Sequence, residues 1–148
     1  MEIHNLKIRK VIENDMLTVY EQICILENFT LNINEFEKIF FYNIKDKNVL
    51  YYMAETQEGQ ALGFISCHLQ NLLHHCGKVA EIQELFVKQE YRGHGIGKAL
   101  VKYMEKTLIA LNCISFEVTA QNKRIDTHEF YKKMELNQSH LKFTKNLF

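Results

Sequence analysis

The sequence contains no proline and only six glycines in 148 residues. Without proline, one of the usual markers of turns and helix ends is missing, so the predicted elements depend on hydrophobic periodicity and capping residues. Three of the six glycines, Gly93, Gly95 and Gly97, fall within five positions. This stretch is therefore the first candidate for a special backbone conformation.

The chain has no excess of charge of either sign, since 18 basic residues balance 18 acidic residues. It therefore lacks the basic surplus that is typical of nucleic-acid or anionic-membrane partners. The first residues lack the regions of a signal peptide, and no apolar run approaches membrane-spanning length. We expect a cytoplasmic protein with no nucleic-acid or membrane partner. The length and composition predict one globular domain over residues 1–148.

Four cysteines are present, and none forms a Cys-x-x-Cys pair. Three of them, Cys24, Cys67 and Cys113, lie among apolar neighbours, and Cys76 lies in a predicted loop. This spacing predicts reduced thiols and neither a disulfide framework nor a zinc site. Adjacent histidines also occur at His74 and His75, but on a strand they would point to opposite faces. No metal site is expected.

The run from Arg92 to Lys98 lies between two periodic segments. The alternating residues 80–88 predict a strand, and apolar residues at steps of three and four from Ile96 to Leu111 predict an amphipathic helix. A helix start presents free N–H groups and positive potential, and glycines permit close approach of an anion. The sequence predicts a phosphate-binding turn. A tight turn that merely requires small residues is the alternative.

The remaining periodic segments complete the order βααβββαβαβ with a mixed sheet, which is an α/β class. A strand and two helices precede a hairpin formed by residues 49–55 and 61–69. Residues 114–119 and 125–134 predict a strand and a helix after the glycine run. Alternation over Leu141 to Leu147 predicts a final strand.

The spacing of Arg92, Gly95 and Gly97 resembles the pyrophosphate loop of the GNAT superfamily of N-acetyltransferases, and the element order resembles the same fold. The resemblance implies acetyl-CoA as cosubstrate, a cleft between two splayed parallel strands, and direct transfer to an amine in a ternary complex. It also implies that two chains can pair as a homodimer. The implied cofactor-binding residues are Leu85, Phe86, Val87, Arg92, Gly93, His94, Gly95, Ile96, Gly97 and Lys98.

The same resemblance assigns the catalytic roles. Tyr131 matches the tyrosine that protonates the leaving thiolate, although Arg124, Glu135 and Leu136 depart from the family pattern around it. Glu81 or Glu84 is expected to accept the proton of the amine. Residues three apart face opposite sides of an ideal strand, so only one should reach the cleft unless a bulge intervenes. Glu81 is preferred for its distance from Arg92, and pairing of either carboxylate with a neighbouring cation is the alternative.

Longer strings, among them residues 68–75, 81–85 and 138–145, resemble the aminoalkylphosphonate N-acetyltransferases. This branch implies a small primary amine with an anionic group. The residues expected to bind that group are His74, His75, Arg124 and His140, and structural histidines are the alternative. A protein or peptide acetyltransferase and a non-catalytic acyl-CoA-binding sensor are the rival functions.

Overall fold

The fold, which we describe from a computed structural model for residues 5–148, is built on a five-stranded mixed sheet with strand order β1-β2-β3-β4-β5. The first four strands are antiparallel neighbours, and β5 runs parallel to β4. The strands are β1 Lys7–Lys10, β2 Val49–Glu55, β3 Ala61–Leu72, β4 Gly77–Val87 and β5 Ser115–Val118. The helices are α1 Met16–Glu27, α2 Ile33–Asn43, α3 Ile96–Ala110 and α4 Ile125–Lys133.

The sheet buries an apolar core on each face. On one face, Val19 and Ile23 of α1 and Phe40 of α2 pack with sheet residues that include Met53 and Phe64. On the other face, α3 packs on a larger set of strand residues. The apolar face predicted for this helix is confirmed, because its buried residues are Ile96, Leu100, Val101, Met104 and Leu108.

The predicted mixed α/β fold and the predicted order through the fourth helix are confirmed. The final strand predicted over Leu141 to Leu147 is wrong. Glu135 adopts a left-handed conformation with φ of 69°, and the Leu136 N–H donates to the Tyr131 carbonyl at 3.1 Å, which closes α4. From Leu136 onward the chain is in no helix or strand.

Alternation of apolar and polar residues is not sufficient for a strand. A strand also needs a partner strand for its backbone and a surface that buries its apolar side chains. In the tail, Leu141, Phe143 and Leu147 are 77%, 90% and 81% exposed. The observed order is therefore βααβββαβα. Within residues 5–148, no helix has the length and apolar character required to cross a membrane.

Candidate active site

The two parallel strands separate partway along their length. Pairing between β4 and β5 covers four positions and ends where Ile82 meets Val118. Beyond that point β4 continues to Val87 with β3 as its antiparallel neighbour. The edge of residues 83–87 that would face a longer β5 therefore presents backbone polar groups without a strand partner. Leu85, Phe86 and Val87, the residues predicted to meet the arm of the cosubstrate, lie on this edge.

The glycine loop begins immediately after the open edge. Gly93 and Gly95 have φ angles of 79° and 83°, a conformation that L side chains rarely adopt. A Cβ atom at either position would meet no atom within 4 Å, so the space around the loop is open. Arg92 ties the loop to the strand, because its Nε donates to the Val87 carbonyl at 3.1 Å. The glycines thus serve the turn itself and leave room for a ligand.

The first turn of α3 supplies free donors to that open space. Gly95 is the N-cap residue and provides no side-chain cap, and the first intrahelical bond runs from the Ala99 N–H to the Gly95 carbonyl. The N–H groups of Ile96, Gly97 and Lys98 therefore have no intrahelical acceptor. His94, by contrast, turns its Nδ1 toward the Tyr91 and Arg92 carbonyls at 3.1 and 3.0 Å.

The α4 helix packs against the start of α3. A Cβ atom on Gly97 would lie 3.4 Å from Phe130 Cζ, so this small residue allows the Phe130 ring to come close to the loop. Tyr131, the next residue, is only 8% exposed, and its ring meets Phe130 edge to face at 5.1 Å. Burial raises the pKa of the Tyr131 hydroxyl to about 12. The hydroxyl therefore keeps its proton at neutral pH.

A β-bulge in β4 brings the two candidate carboxylates to one face. Ser66 pairs with Glu84, but the next residue of β3, Cys67, pairs with Ile82, so Gln83 is an extra residue in β4. Because one extra residue inverts the alternation, Glu81 and Glu84 share a face although they are three positions apart. That face is the one covered by α1 and α2. Phe64, which lies two residues before Ser66 on β3 and points to the same side, belongs to the core beneath these helices.

Glu84 is held by the residue opposite it. The Ser66 hydroxyl, which is fully buried, donates to Glu84 Oε2 and accepts from the Glu84 N–H at 3.0 Å. Burial raises the pKa of the Glu84 carboxyl, and the negative charge of Glu27 adds to this effect. The bond from Ser66 and the charge of His68 oppose the rise without cancelling it. Glu84 therefore takes up a proton more readily than an exposed glutamate does.

The same face carries further ionisable groups. His68 pairs with Glu81 across the two strands, and Glu117 of β5 pairs with Glu81 on the other side. In contrast, Cys67 lies on the α3 face, where burial raises the pKa of its thiol to about 12. A thiol of that pKa is a poor nucleophile at neutral pH.

Arg124 lies near the carboxyl end of α1. It is exposed at the start of α4, and its Nη2 is 3.5 Å from the Leu26 carbonyl. The structure thus brings the start of α4 to the end of the helix that covers the carboxylate face. Arg124 is a cation available at this border of the site.

Two other predicted substrate-binding residues, His74 and His75, lie far from the carboxylates. His74 and His75 form a helical turn at the tip of the β3–β4 hairpin, with ring centroids 4.3 Å apart. Six residues of strand separate the tip from Ser66, which is about 20 Å. His140 lies in the exposed tail, where Nδ1 is 2.6 Å from Ser139 Oγ. Their binding roles stay predictions. Within residues 5–148, no cluster of three or more His, Cys, Asp or Glu side chains could hold a metal ion.

The sequence pattern does not identify Ser66 as a residue of the site. A single serine in a strand rich in apolar residues gives no signal by itself. Its relation to Glu84 depends on the bulge at Gln83, and the residues on one strand alone do not specify where the pairing register shifts.

A glycine loop at a helix start, an open strand edge beside it and carboxylates on the adjoining face fit a transferase that handles a phosphorylated acyl carrier. Residues 16–135 match the acetyltransferase (GNAT) family, and the chain belongs to this family. The chain is 36% identical over 141 residues to the aminoalkylphosphonate N-acetyltransferase of Salmonella typhimurium (strain LT2). That match covers 95% of this chain and 91% of the relative. The protein is accordingly an N-acetyltransferase.

Solved structures support the fold. A transcriptional regulator from Bacillus halodurans superposes with a TM-score of 0.87 at 20% identity, covering 97% of this chain and all of the other. The glucosamine-6-phosphate N-acetyltransferase of Arabidopsis thaliana superposes with a TM-score of 0.78 at 20% identity, covering 98% of this chain and all of the other. At these identities the likeness concerns the fold alone.

Proposed function

We propose that the protein transfers the acetyl group of acetyl-CoA to the primary amine of a small molecule, and that an aminoalkylphosphonate is the acceptor class. The main support is the position of the open β4 edge, directly before the glycine loop and beside the face that carries Glu81 and Glu84. One strand thus offers a peptide-like edge to one ligand and a carboxylate pair to another. The similarity to the Salmonella enzyme supports the acceptor class.

The loop has the groups that the pyrophosphate of acetyl-CoA requires. Free N–H groups at the start of α3 and the positive helix end favour a bound anion, and the exposed guanidinium of Arg92 adds charge. The pantetheine arm, which contains two amides, can pair with the open edge of residues 83–87 as an added strand would. Acetyl-CoA supplies a thioester that an unprotonated amine can attack.

Glu84 is the proton acceptor that the geometry favours. A primary amine has an unperturbed pKa of about 10.4 and reaches the site as an ammonium ion. Burial raises the pKa of Glu84, which brings this carboxylate nearer to the range in which a general base works at neutral pH. Glu81, preferred from the sequence, shares the face and is the second acceptor. His68 lies opposite Glu81 on β3.

Tyr131 is the proton donor to the leaving thiolate. Its hydroxyl keeps its proton at neutral pH because burial raises the pKa to about 12. The Tyr131 ring packs edge to face against Phe130, and Phe130 itself approaches Gly97 in the first turn of α3. Thus the base and the acid belong to different elements, β4 and α4.

Arg124 is the group proposed to hold the anionic end of the acceptor. A guanidinium binds a phosphonate in a charge-assisted, bidentate manner. Its position beside the last turn of α1 places it at the border of the face that carries the glutamates. An acceptor with an ammonium at one end and a phosphonate at the other matches this separation of charges.

The deciding experiment is a thiol-release assay with acetyl-CoA. The acceptors are aminoalkylphosphonates, amino acids, polyamines and a lysine-containing peptide, each at several concentrations. We expect thiol release with aminoalkylphosphonates and recovery of the N-acetylated product by mass spectrometry. Activity confined to the peptide would remove the proposed acceptor class. Acetyl-CoA binding without acetylation of any amine would instead indicate a sensor.

A further inference from the structure

We propose that Ser66 is a positioning residue for the transfer, which fixes the rotamer and the free oxygen of the Glu84 carboxylate. The inference rests on the proposed function, in which Glu84 accepts the proton of the amine. Ser66 does not touch either substrate in this scheme. It acts through Glu84.

Two hydrogen bonds carry the inference. The Ser66 hydroxyl donates to Glu84 Oε2 and accepts from the Glu84 N–H at 3.0 Å, so both its donor and one acceptor site are used by the same residue. Ser66 is fully buried, and its Oγ therefore cannot exchange these bonds for water. The backbone N–H of Glu84 fixes the Ser66 hydroxyl, and the hydroxyl in turn holds Oε2 and restricts rotation of the Glu84 side chain. Oε2 is occupied, and Oε1 remains for the proton.

The bulge makes this pair possible. If β4 had no bulge, the register set by Cys67 and Ile82 would continue and Gln83 would lie opposite Ser66. Glu84 would then point to the α3 face. With it, Ser66 and Glu84 face each other on the side covered by α1. Ser66 and Glu84 are therefore opposite each other only because Gln83 is the extra residue of the strand.

The proton step balances within this pair and the acceptor. One N–H bond of the ammonium breaks, its electron pair stays on nitrogen, and the proton forms an O–H bond at Oε1 of Glu84. The neutral amine can then attack the thioester. During this step Ser66 keeps its hydrogen bond to Oε2, so the carboxylate does not turn away from the amine.

Ser66 also affects the pH range in which Glu84 can accept the proton, because it lowers the pKa of this carboxyl. A donor hydrogen bond favours the ionised carboxylate, and its removal raises the pKa of Glu84 further. The other groups that act on this carboxyl are fixed in the fold and stay unchanged. They are His68 of β3 and Glu27 of α1, and the carboxyl in turn raises the pKa of Tyr51 of β2. Glu81 of β4 shares the same face.

The test is the pH dependence of kcat/KM for acetyl transfer to the best acceptor. The alanine variant Ser66→Ala should move the acid limb about 1 pH unit upward, with a loss of about 10-fold on the acidic side of the limb. The plateau above the limb should also fall, because the carboxylate loses the hydrogen bond that holds its rotamer. Ser66→Thr, which keeps a hydroxyl, should return the limb to the wild-type position. The matched control is Cys67→Ala, the adjacent buried residue on the opposite face, and it should leave the limb in place.

Each alternative outcome has a distinct meaning. An unmoved limb in Ser66→Ala, or an equal movement in Cys67→Ala, overturns the role of Ser66 while the proposed function stands. A Glu84→Gln enzyme with the wild-type limb and turnover removes the base and Ser66 together. If Ser66→Ala does not fold, as judged by circular dichroism, the isosteric Ser66→Cys replaces it. Its weaker donor must move the limb in the same direction by a smaller amount, and an unmoved limb overturns the inference.

Discussion

Glu81 and Glu84 lie on the same face of β4 although three positions separate them, because the register shift at Gln83 inverts the alternation of the strand between them. Two carboxylates thereby face α1 with Ser66 and His68 opposite them. They differ in their surroundings, since Ser66 binds only Glu84. We therefore expect the two carboxylates to have different roles.

The two glutamates should respond unequally to removal of charge. We expect Glu84→Gln to lower kcat/KM by about 100-fold or more, which is the usual contribution of a positioned general base, and Glu81→Gln to have a smaller effect. Steady-state thiol release over a range of pH measures both. The exposed Glu105 on α3 provides the control, because Glu105→Gln changes the same charge far from the face. Equal losses in Glu84→Gln and Glu105→Gln would contradict the assignment.

Glu84 should also reduce stability where it is ionised. Its pKa in the folded protein is raised by burial, so the folded state binds the proton more tightly than the unfolded state does. The free energy of unfolding therefore falls as pH rises from the unfolded pKa through the folded pKa. We expect Glu84→Gln to be more stable than wild type at about pH 8 and to lose this advantage at about pH 4. Urea unfolding at both pH values gives the comparison, and a pH-independent difference would be evidence against it.

Tyr131→Phe should separate turnover from folding. The ring packing against Phe130 is kept, so the thermal unfolding midpoint should stay near that of wild type. Loss of the proton donor should lower kcat by about 100-fold with little change in KM. Since the pKa of the hydroxyl is raised to about 12, wild-type turnover should show no alkaline limb from this group below that region. A variant with normal kcat would remove the role of Tyr131.

Two glycines with the same backbone conformation allow a matched test of the loop. Gly95 and Gly59 have φ angles of 83° and 88°, and a Cβ would meet no atom at either position. Alanine should therefore destabilise the protein at each site by a similar amount, about 1 kcal/mol. Only Gly95→Ala should raise KM for acetyl-CoA, because only Gly95 lies at the start of α3. A similar rise in Gly59→Ala would indicate a general loss of stability instead.

Arg124 should matter only for acceptors that carry an anionic group. We expect Arg124→Met to raise KM for an aminoalkylphosphonate by about 10-fold or more, as for loss of a charge-assisted contact, and to leave KM for the matched alkylamine unchanged. The neighbouring Lys123→Met changes the same charge and serves as the control, since Lys123 is also exposed. If both substitutions change the KM ratio equally, the effect belongs to the general surface potential.

The parts of the site that local sequence encodes could be predicted. Glycine spacing specifies the loop, and apolar periodicity specifies the buried face of α3, which begins at Ile96. The last strand could not be predicted correctly because alternation at Leu141 and Phe143 says nothing about which edge or core receives these residues. The exposed side chains show that neither is provided within the described chain.

The sequence predicts the bulge in β4 only as a requirement for Glu81 and Glu84 to share a face. The sequence indicates that Glu81 and Glu84 need an irregularity to share a face, but the position of that irregularity depends on how two strands pair. Ser66 becomes recognisable only once the register with Glu84 is known. Nonlocal pairing is thus the information that residue patterns on single segments lack.

The open stretch of β4 has a consequence for how two molecules can meet on one strand. Its open edge lies in the plane of the sheet, whereas the side chains of Glu81 and Glu84 project from its face, so the two directions are perpendicular. The edge groups of residues 83–87 and the carboxylates of Glu81 and Glu84 therefore belong to different surfaces of the same strand. In the proposed reaction, a cosubstrate on the edge and an acceptor at the face would thus use different groups of β4 and would not compete for them.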